Sequence, residues 1–250
     1  MDFKFHDLNV HYVVEGIGKP VIFLHGWGGN QKTFDRIVPS LINHYTVYRI
    51  DLPGFGQSDA LIKSFALDDY TAFLENFIRK LKLDSPILIG HSFGGKIILS
   101  YLIKNTDVKK AILISSSGIK HPLSLKKRLQ VAWFKIRKRW YIYRKDGVAL
   151  QKLYERSGSE DYRNAGLVMK ETLSKIVAKG LQQELKKIKQ EVLLIWGKLD
   201  KTTPYRDALI MNKRIKNSGL VTFEEAGHFP YLEDPVRFCY VLKNYLEITD

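Results

Sequence analysis

At 250 residues, 45% of them hydrophobic and 26% charged, the chain is long enough for one domain with a large core, and its composition excludes a disordered or fibrous protein. No uninterrupted apolar run approaches the ~18–20 residues needed to span a bilayer. Forty Lys and Arg against 26 Asp and Glu give a net charge of +14, which raises nucleic acid or anionic membrane as partners, but residues 119–152 alone hold eleven basic residues and one acid (Asp146), or +10 of the +14.

The opening MDFKFHDLNVHYVVEG carries charge from its start and then alternates, unlike a secretory signal, and predicts a β-hairpin turning at Asp7. The short apolar runs PVIFLHG and YTVYRID follow as strands, with KTFDRIVPSLIN between them predicted as a helix. Next come the helix-like LDDYTAFLENFIRKLKL, the strand PILIGHS, the helix GGKIILSYLIKN and the strand KKAILISSS. From Ile119 to Lys189 no strand is predicted, only helix-compatible sequence broken at SGSED and KG; about seventy residues are too many for a loop and predict an inserted helical subdomain. The strand EVLLIWG, the helix PYRDALIMNKRI, the strand GLVTFEEAG and the helix DPVRFCYVLKNYL complete the chain. Apolar runs this continuous indicate strands buried on both faces, as in a parallel sheet, and their alternation with amphipathic segments indicates an α/β layer fold. The lone Cys239 cannot form an internal disulfide and is expected as a buried thiol in a cytoplasmic protein.

The chemistry is concentrated where these strands end. Gly90-His91-Ser92-Phe93-Gly94 is a G-x-S-x-G pattern at a strand-to-helix junction, the nucleophile elbow, in which a strained serine projects above the sheet. A serine hydroxyl needs a general base, and the base needs an orienting acid. Of seven histidines, His228 follows the last predicted strand, and Asp200 lies just beyond the strand before it. Both positions are at carboxyl ends of strands, where open α/β sheets place their sites, and the three follow one another in the chain order Ser92, Asp200, His228. Acyl transfer also needs donors for an oxyanion: the backbone N–H groups of Phe93 and of Trp27, in the glycine-rich HGWGG after the first long strand, are the candidates. His25 is expected to brace that loop. Trp27, Phe93 and Phe229 are the expected substrate-contacting side chains, with packing elsewhere the alternative for the Trp27 indole. No zinc spacing is present, and neither metal nor cofactor is expected.

HGWGG, DLPGFGQSD, GHSFGG, WGKLDKTTP and AGHFPYLEDP, in this order over almost the whole length, resemble the cap-domain serine hydrolases of the α/β-hydrolase fold family, carboxylesterases in particular. The resemblance implies a mostly parallel central sheet of about eight strands, helices on both faces, a core of residues 1–118 and 190–250, and a helical cap over 119–189. DLPGFGQSD is then a structured loop near the oxyanion hole. The resemblance also implies cleavage of a small-molecule carboxylic ester through an acyl-enzyme on Ser92. Haloalkane dehalogenases and epoxide hydrolases resemble the pattern but place aspartate at the nucleophile, which argues against both. Hydroxynitrile lyases and cofactor-free haloperoxidases keep the serine triad. Carbon–carbon hydrolases of aromatic-ring degradation differ at HGWGGNQKTF and GHSFGG; thioester cleavage and acyl transfer are further alternatives. Outside enzymes, the alternative is a degenerate site that binds a small ligand or a membrane surface without turnover.

The basic insert contains LSLKKRLQVAWFKIRKRWYIYRK, with Leu125, Leu129, Trp133, Ile136 and Trp140 on one helical face and the clusters Lys126-Lys127-Arg128 and Arg137-Lys138-Arg139. This apolar face is expected to close over the active site while the basic face is solvated. The alternative is an amphipathic lid in peripheral contact with anionic membrane. Nucleic acid is not expected as a partner, because the same segment is needed to roof a pocket.

Overall fold

The structure is a computed structural model describing residues 1–122 and 124–248. Leu123, in the stretch expected as cap, and Thr249 and Asp250, at the end of the expected core, lie outside the described residues. The strands β1 (Asp2–Phe5), β2 (Leu8–Glu15), β3 (Lys19–Leu24), β4 (Tyr45–Ile50), β5 (Ile87–His91), β6 (Lys110–Ile114), β7 (Glu191–Gly197) and β8 (Ser218–Phe223) form one eight-stranded sheet in the order β1-β2-β4-β3-β5-β6-β7-β8. The hairpin β1–β2 and the pair β2–β4 are antiparallel, and every later pairing is parallel.

Alternate residues of the inner strands serve opposite faces, as period-2 geometry requires. Ile22, Leu24, Leu88, Leu113 and Leu194 pack into one core with α1 (Leu67–Lys80), α2 (Phe93–Lys104) and α7 (Tyr205–Arg214). Val21, Phe23, Ile89, Ile112 and Ile195 pack into a second core with α9 (Pro235–Tyr245), which the single turn α8 (Pro230–Glu233) precedes. Strand β3 sits between β4 and β5, so the chain leaves it in one direction and returns on the other side. This reversal opens a crevice at the carboxyl ends of β3 and β5, the place where α/β sheets receive ligands.

Two expectations for the core need correction. The helix predicted over KTFDRIVPSLIN is two short 3₁₀ turns, Gln31–Phe34 and Val38–Ser40. Pro39 lies in the second; it has no N–H to donate and disfavours a helical conformation in the residue before it. Cys239 is half-buried, because α9 turns Phe238 and Leu242 inward and Cys239 lies one position off that line.

Between β6 and β7 come α3 (Leu125–Tyr143), α4 (Gly147–Glu155), α5 (Glu160–Asn164) and α6 (Leu167–Ala178). Helix α6 is tied down at its carboxyl end by cations, as the partial negative charge there favours. Lys96 of α2 donates to the carbonyl of Ile176 at 2.7 Å and Lys120 to that of Ala178 at 2.6 Å, while Lys179 pairs with Asp68 of α1. The two connections to these helices are also stitched together: Leu181 N–H donates to Gly118 O, and the Gln182 amide both accepts from Lys120 N–H and donates to Lys120 O.

The apolar face expected to close over the site points the other way. None of the residues of α3 is buried, and α4 and α6 supply the inward contacts instead, through Leu153, Tyr154 and Ile176.

Burial, reinforced by Lys120 and Lys179, pushes the Lys96 ammonium down to about 8. A base whose folded pKa lies below its unfolded value of about 10.4 destabilises the fold while both states are protonated, and the penalty lifts as pH rises between the two values. Relative to Lys96→Met, the wild type should therefore gain roughly 2–3 kcal/mol between pH 8 and pH 10.5, measured by urea unfolding of both proteins across that range. A difference independent of pH would show that Lys96 is not protonated against its burial.

Candidate active site

Strand β5 ends at His91, α2 starts at Phe93, and Ser92 between them has φ 49° and ψ −106°. Its N–H donates to Ile114 O at the end of β6, and its carbonyl accepts from Ser117 N–H and Lys96 N–H, so the strained residue is gripped from two elements. The turn closes this tightly because Gly90 and Gly94 carry no side chain. A Cβ at Gly90 would lie 2.6 Å from Gly95 N and 2.7 Å from the Gly94 carbonyl carbon. As the first residue of α2, Phe93 has an N–H with no acceptor within its own helix.

Across the crevice, β7 ends in a turn that presents Asp200 and β8 in a loop that presents His228. The imidazole Nδ1 of His228 is 2.8 Å from Asp200 Oδ2, with the carboxylate almost wholly buried. The other acceptor positions of the carboxylate are filled locally: Oδ1 accepts from Thr202 N–H and Thr203 N–H, and Oδ2 accepts from the Thr203 hydroxyl at 2.7 Å. Burial alone would raise the pKa of Asp200, but hydrogen bonds from His228 and from the Thr203 side chain and backbone outweigh it and hold the carboxyl below its usual range. An ionised Asp200 fixes the proton of His228 on Nδ1 and leaves Nε2 with a free lone pair.

The loop carrying His228 is held from both sides. His91 Nε2–H donates to His228 O at 2.9 Å, and the two rings lie 4.6 Å apart. Burial first, then the neighbouring His228, push His91 down to about 3, so it stays neutral and serves as a fixed donor. Glu233 accepts from Gly227 N–H and Phe229 N–H, closing the loop on its far side. Phe229 packs against both rings, tilted at 4.9 Å from His91 and edge-on at 5.1 Å from His228.

The β3 loop is organised around His25. Its Nε2 accepts from Leu52 N–H, and its Nδ1–H donates to Gly26 O at 2.7 Å; burial takes it down to about 4, again a neutral brace. Asp51 locks the adjoining DLPGFGQSD segment by accepting from Gln31 N–H and Gln57 N–H. Trp27 is half-buried, its indole edge-on to Phe55 at 4.9 Å and to Phe93 at 5.6 Å.

The structure thus joins the predicted imidazole and carboxylate and places the predicted serine beside His91, which itself touches His228. It does not join hydroxyl to imidazole: among the described residues the Ser92 side chain makes no hydrogen bond. Such bonds commonly shorten only when substrate arrives. In the helices between β6 and β7, burial first and then the neighbouring Glu160 push the Asp161 carboxyl above its usual range. Two cavities, of about 290 Å³ between α3 and α4 and about 540 Å³ beside His121 and α7, include none of Ser92, Asp200 and His228 in their linings. Among the described residues no three His, Cys, Asp or Glu side chains converge as a metal site requires.

Sequence reasoning missed Thr203, His91 and Glu233. The aspartate followed two and three residues later by threonines is a local signal of an Asx-type turn and marks Thr203 in principle. Glu233 has the weaker signal of an acid five residues after the histidine, on a turn initiated by Pro230.

A family model described as alpha/beta hydrolase fold matches residues 19–152, and a second, described as TAP-like protein, matches residues 174–246. The AB hydrolase superfamily protein YisY of Bacillus subtilis is 27% identical, with 88% of each chain covered. A pimeloyl-[acyl-carrier protein] methyl ester esterase of Vibrio vulnificus is 24% identical over 95% of this chain and 98% of its own. Among solved structures, the esterase EaEST from Exiguobacterium antarcticum superposes with a TM-score of 0.77 at 25% identity, covering 96% of both chains.

The tightness of the turn at Ser92 is testable apart from any activity. A Cβ at Gly94 would collide with the backbone carbonyls of Leu24 and His25, neither of which has a flexible end to yield. Gly94→Ala should lower stability by about 2 kcal/mol or more, seen as a reduced urea midpoint at unchanged slope. Wild-type stability in the variant would mean that α2 does not need to approach β3 so closely.

Proposed function

Because the chain belongs to the alpha/beta hydrolase fold family, we propose that it is a serine hydrolase cleaving carboxylic esters through an acyl-enzyme on Ser92. The observation that carries this reading is the 2.8 Å bond from His228 to the buried Asp200, beside a serine held at positive φ at the head of a helix. In the proposed cycle Ser92 Oγ attacks the ester carbonyl while His228 Nε2 takes its proton. The oxyanion is received by the N–H groups of Trp27 and Phe93 at the positive end of α2. His228 then protonates the departing alcohol and activates the water that releases the acid, while Asp200 stabilises the transient imidazolium.

Residues 119–189 act in this proposal as the cap, with α6 against the 51–66 loop: Met169 comes within 3.0 Å of the position a Gly54 Cβ would occupy, and Thr172 accepts from Phe65 N–H. Trp27 and Phe229 contact the substrate with their side chains, whereas Phe93, whose ring is buried against Trp27, Phe55 and Tyr70, meets it only through its N–H. The partner is a small ester, a bond class supported by the esterases among the similar proteins. A cytoplasmic location belongs to the same proposal, on the single cysteine.

Wild-type protein should turn over nitrophenyl esters and be labelled at Ser92 by a fluorophosphonate. Ser92→Ala should abolish labelling and lower kcat by about 10⁴-fold or more, and Asp200→Asn should cost about 10⁴-fold with the fold intact. Folded wild type that neither turns over esters nor takes the label would end this reading. Esters of graded acyl length, run with thioesters and ring-cleavage diketones, assign the bond class.

A further inference from the structure

Helix α3 has an arrangement that a roof over the site does not call for. Its 19 residues include seven Lys or Arg and no acid, and at 1.5 Å per residue it is about 28 Å long. Leu125, Leu129, Trp133, Ile136, Trp140 and Tyr143 fall within an arc of about 100°, and each is between 54% and 81% exposed. The inward side is a different set: Phe134, Lys138 and Tyr141 are half-buried, with the Phe134 ring 6.3 Å from those of Tyr154 and Tyr162, and Lys138 over Tyr154. The helix therefore has its docking side occupied and presents a second, wholly apolar stripe outward.

The cations sit on both shoulders of that stripe. Lys126 and Arg137 flank one edge and Arg128, Lys135 and Arg139 the other, by the 3.6-residue period. Among the described residues none of the helix's seven cations is in an ion pair with an acid. The cavity between α3 and α4 has the same sign: Arg137, Lys152 and Arg156 line it, and no acid does.

We propose that α3 is an interfacial helix that docks on anionic lipid surface, its Leu–Trp–Ile stripe sunk to the acyl boundary and its flanking cations among the headgroups. Charge decides against the other occupants. A second copy would bring one helix with seven unpaired cations against another. Nucleic acid would engage the shoulders and stack on the three rings, yet leave Leu125, Leu129 and Ile136 of the same stripe facing phosphate and water. An anionic bilayer satisfies both at once, with apolar medium for the stripe and negative headgroups beside it. Trp and Tyr on the stripe suit the headgroup level in particular.

The full-length protein should co-sediment with phosphatidylglycerol–phosphatidylcholine vesicles at low salt, much less with phosphatidylcholine alone, and less again at high salt. Brominated lipid should quench its tryptophan fluorescence. Trp133→Ala/Trp140→Ala, checked for intact fold by circular dichroism, should lose the quenching and partition about tenfold more weakly or worse. Lys126→Gln/Arg128→Gln/Arg137→Gln/Arg139→Gln should lose the preference for anionic vesicles and the salt dependence. No binding to anionic vesicles at low salt overturns the proposal. So does equal binding by the double tryptophan variant, or self-association or nucleic-acid binding that depends on the stripe while vesicles are ignored. Binding is read without substrate, so its failure and the failure of ester hydrolysis are distinguishable.

Discussion

A serine at φ 49° and ψ −106° costs about 1–3 kcal/mol in backbone strain, and what surrounds Ser92 exists to hold it there. Its N–H is committed to Ile114 and its carbonyl to Ser117 and Lys96, so relaxing the torsion would break bonds to β6 and to the first turn of α2 together. The same clamp dictates composition. Helix α2 can start one residue after β5 ends only if its first turn lies on the end of β3, and a side chain at Gly94 would meet the Leu24 carbonyl. The position of the elbow follows from topology, since β5 flanks the strand on which the sheet reverses direction. Strain, glycine placement and site location are thus three consequences of one close approach.

Three histidines around this point show how environment divides one residue type into different roles. His25 and His91 are fully desolvated, and burial drives them to about 4 and about 3, so each is a neutral ring with one fixed N–H. His25 uses it on Gly26 O, and His91 uses it on His228 O. His228 alone has a carboxylate on Nδ1, the partner that makes an imidazolium tolerable. The proposed cycle calls on one ring alone to gain a proton, and the two beside it are kept neutral by being dry.

Most of the sheet is legible in the sequence because strands buried on both faces are continuous apolar runs, and their ends announce themselves as Gly, Asp or Ser. For the same reason Asp200 and His228 can be picked out, each lying just past such a run. The helix predicted over residues 32–43 fails at Pro39, where a favourable apolar period is overridden by a missing donor. Thr203 and Glu233 leave only faint local signals, an aspartate followed by threonines and an acid five residues past the histidine, and what they hold depends on how β7, β8 and α8 place those turns. Ser92 is found from its motif, but the orientation of its hydroxyl is not something a sequence pattern encodes.

The helix α3 shows a deeper limit of periodicity. Spacings of four, four, three and four establish that an apolar stripe exists and say nothing of what it faces, and in an insertion of several helices only those in contact with the core must turn their stripes inward. Here α4 and α6 fill that layer, with Tyr154 and Ile176 buried and Lys96 and Lys120 holding the end of α6. Helix α3 rests on α4 and α5 through Phe134. Ten of the fourteen net charges lie in residues 119–152, the stretch that contains this helix. Water would accept that charge on any face of the helix, but it gives no reason for six large apolar side chains to share the outward one. A surface that is apolar in depth and negative at its boundary gives a reason for both.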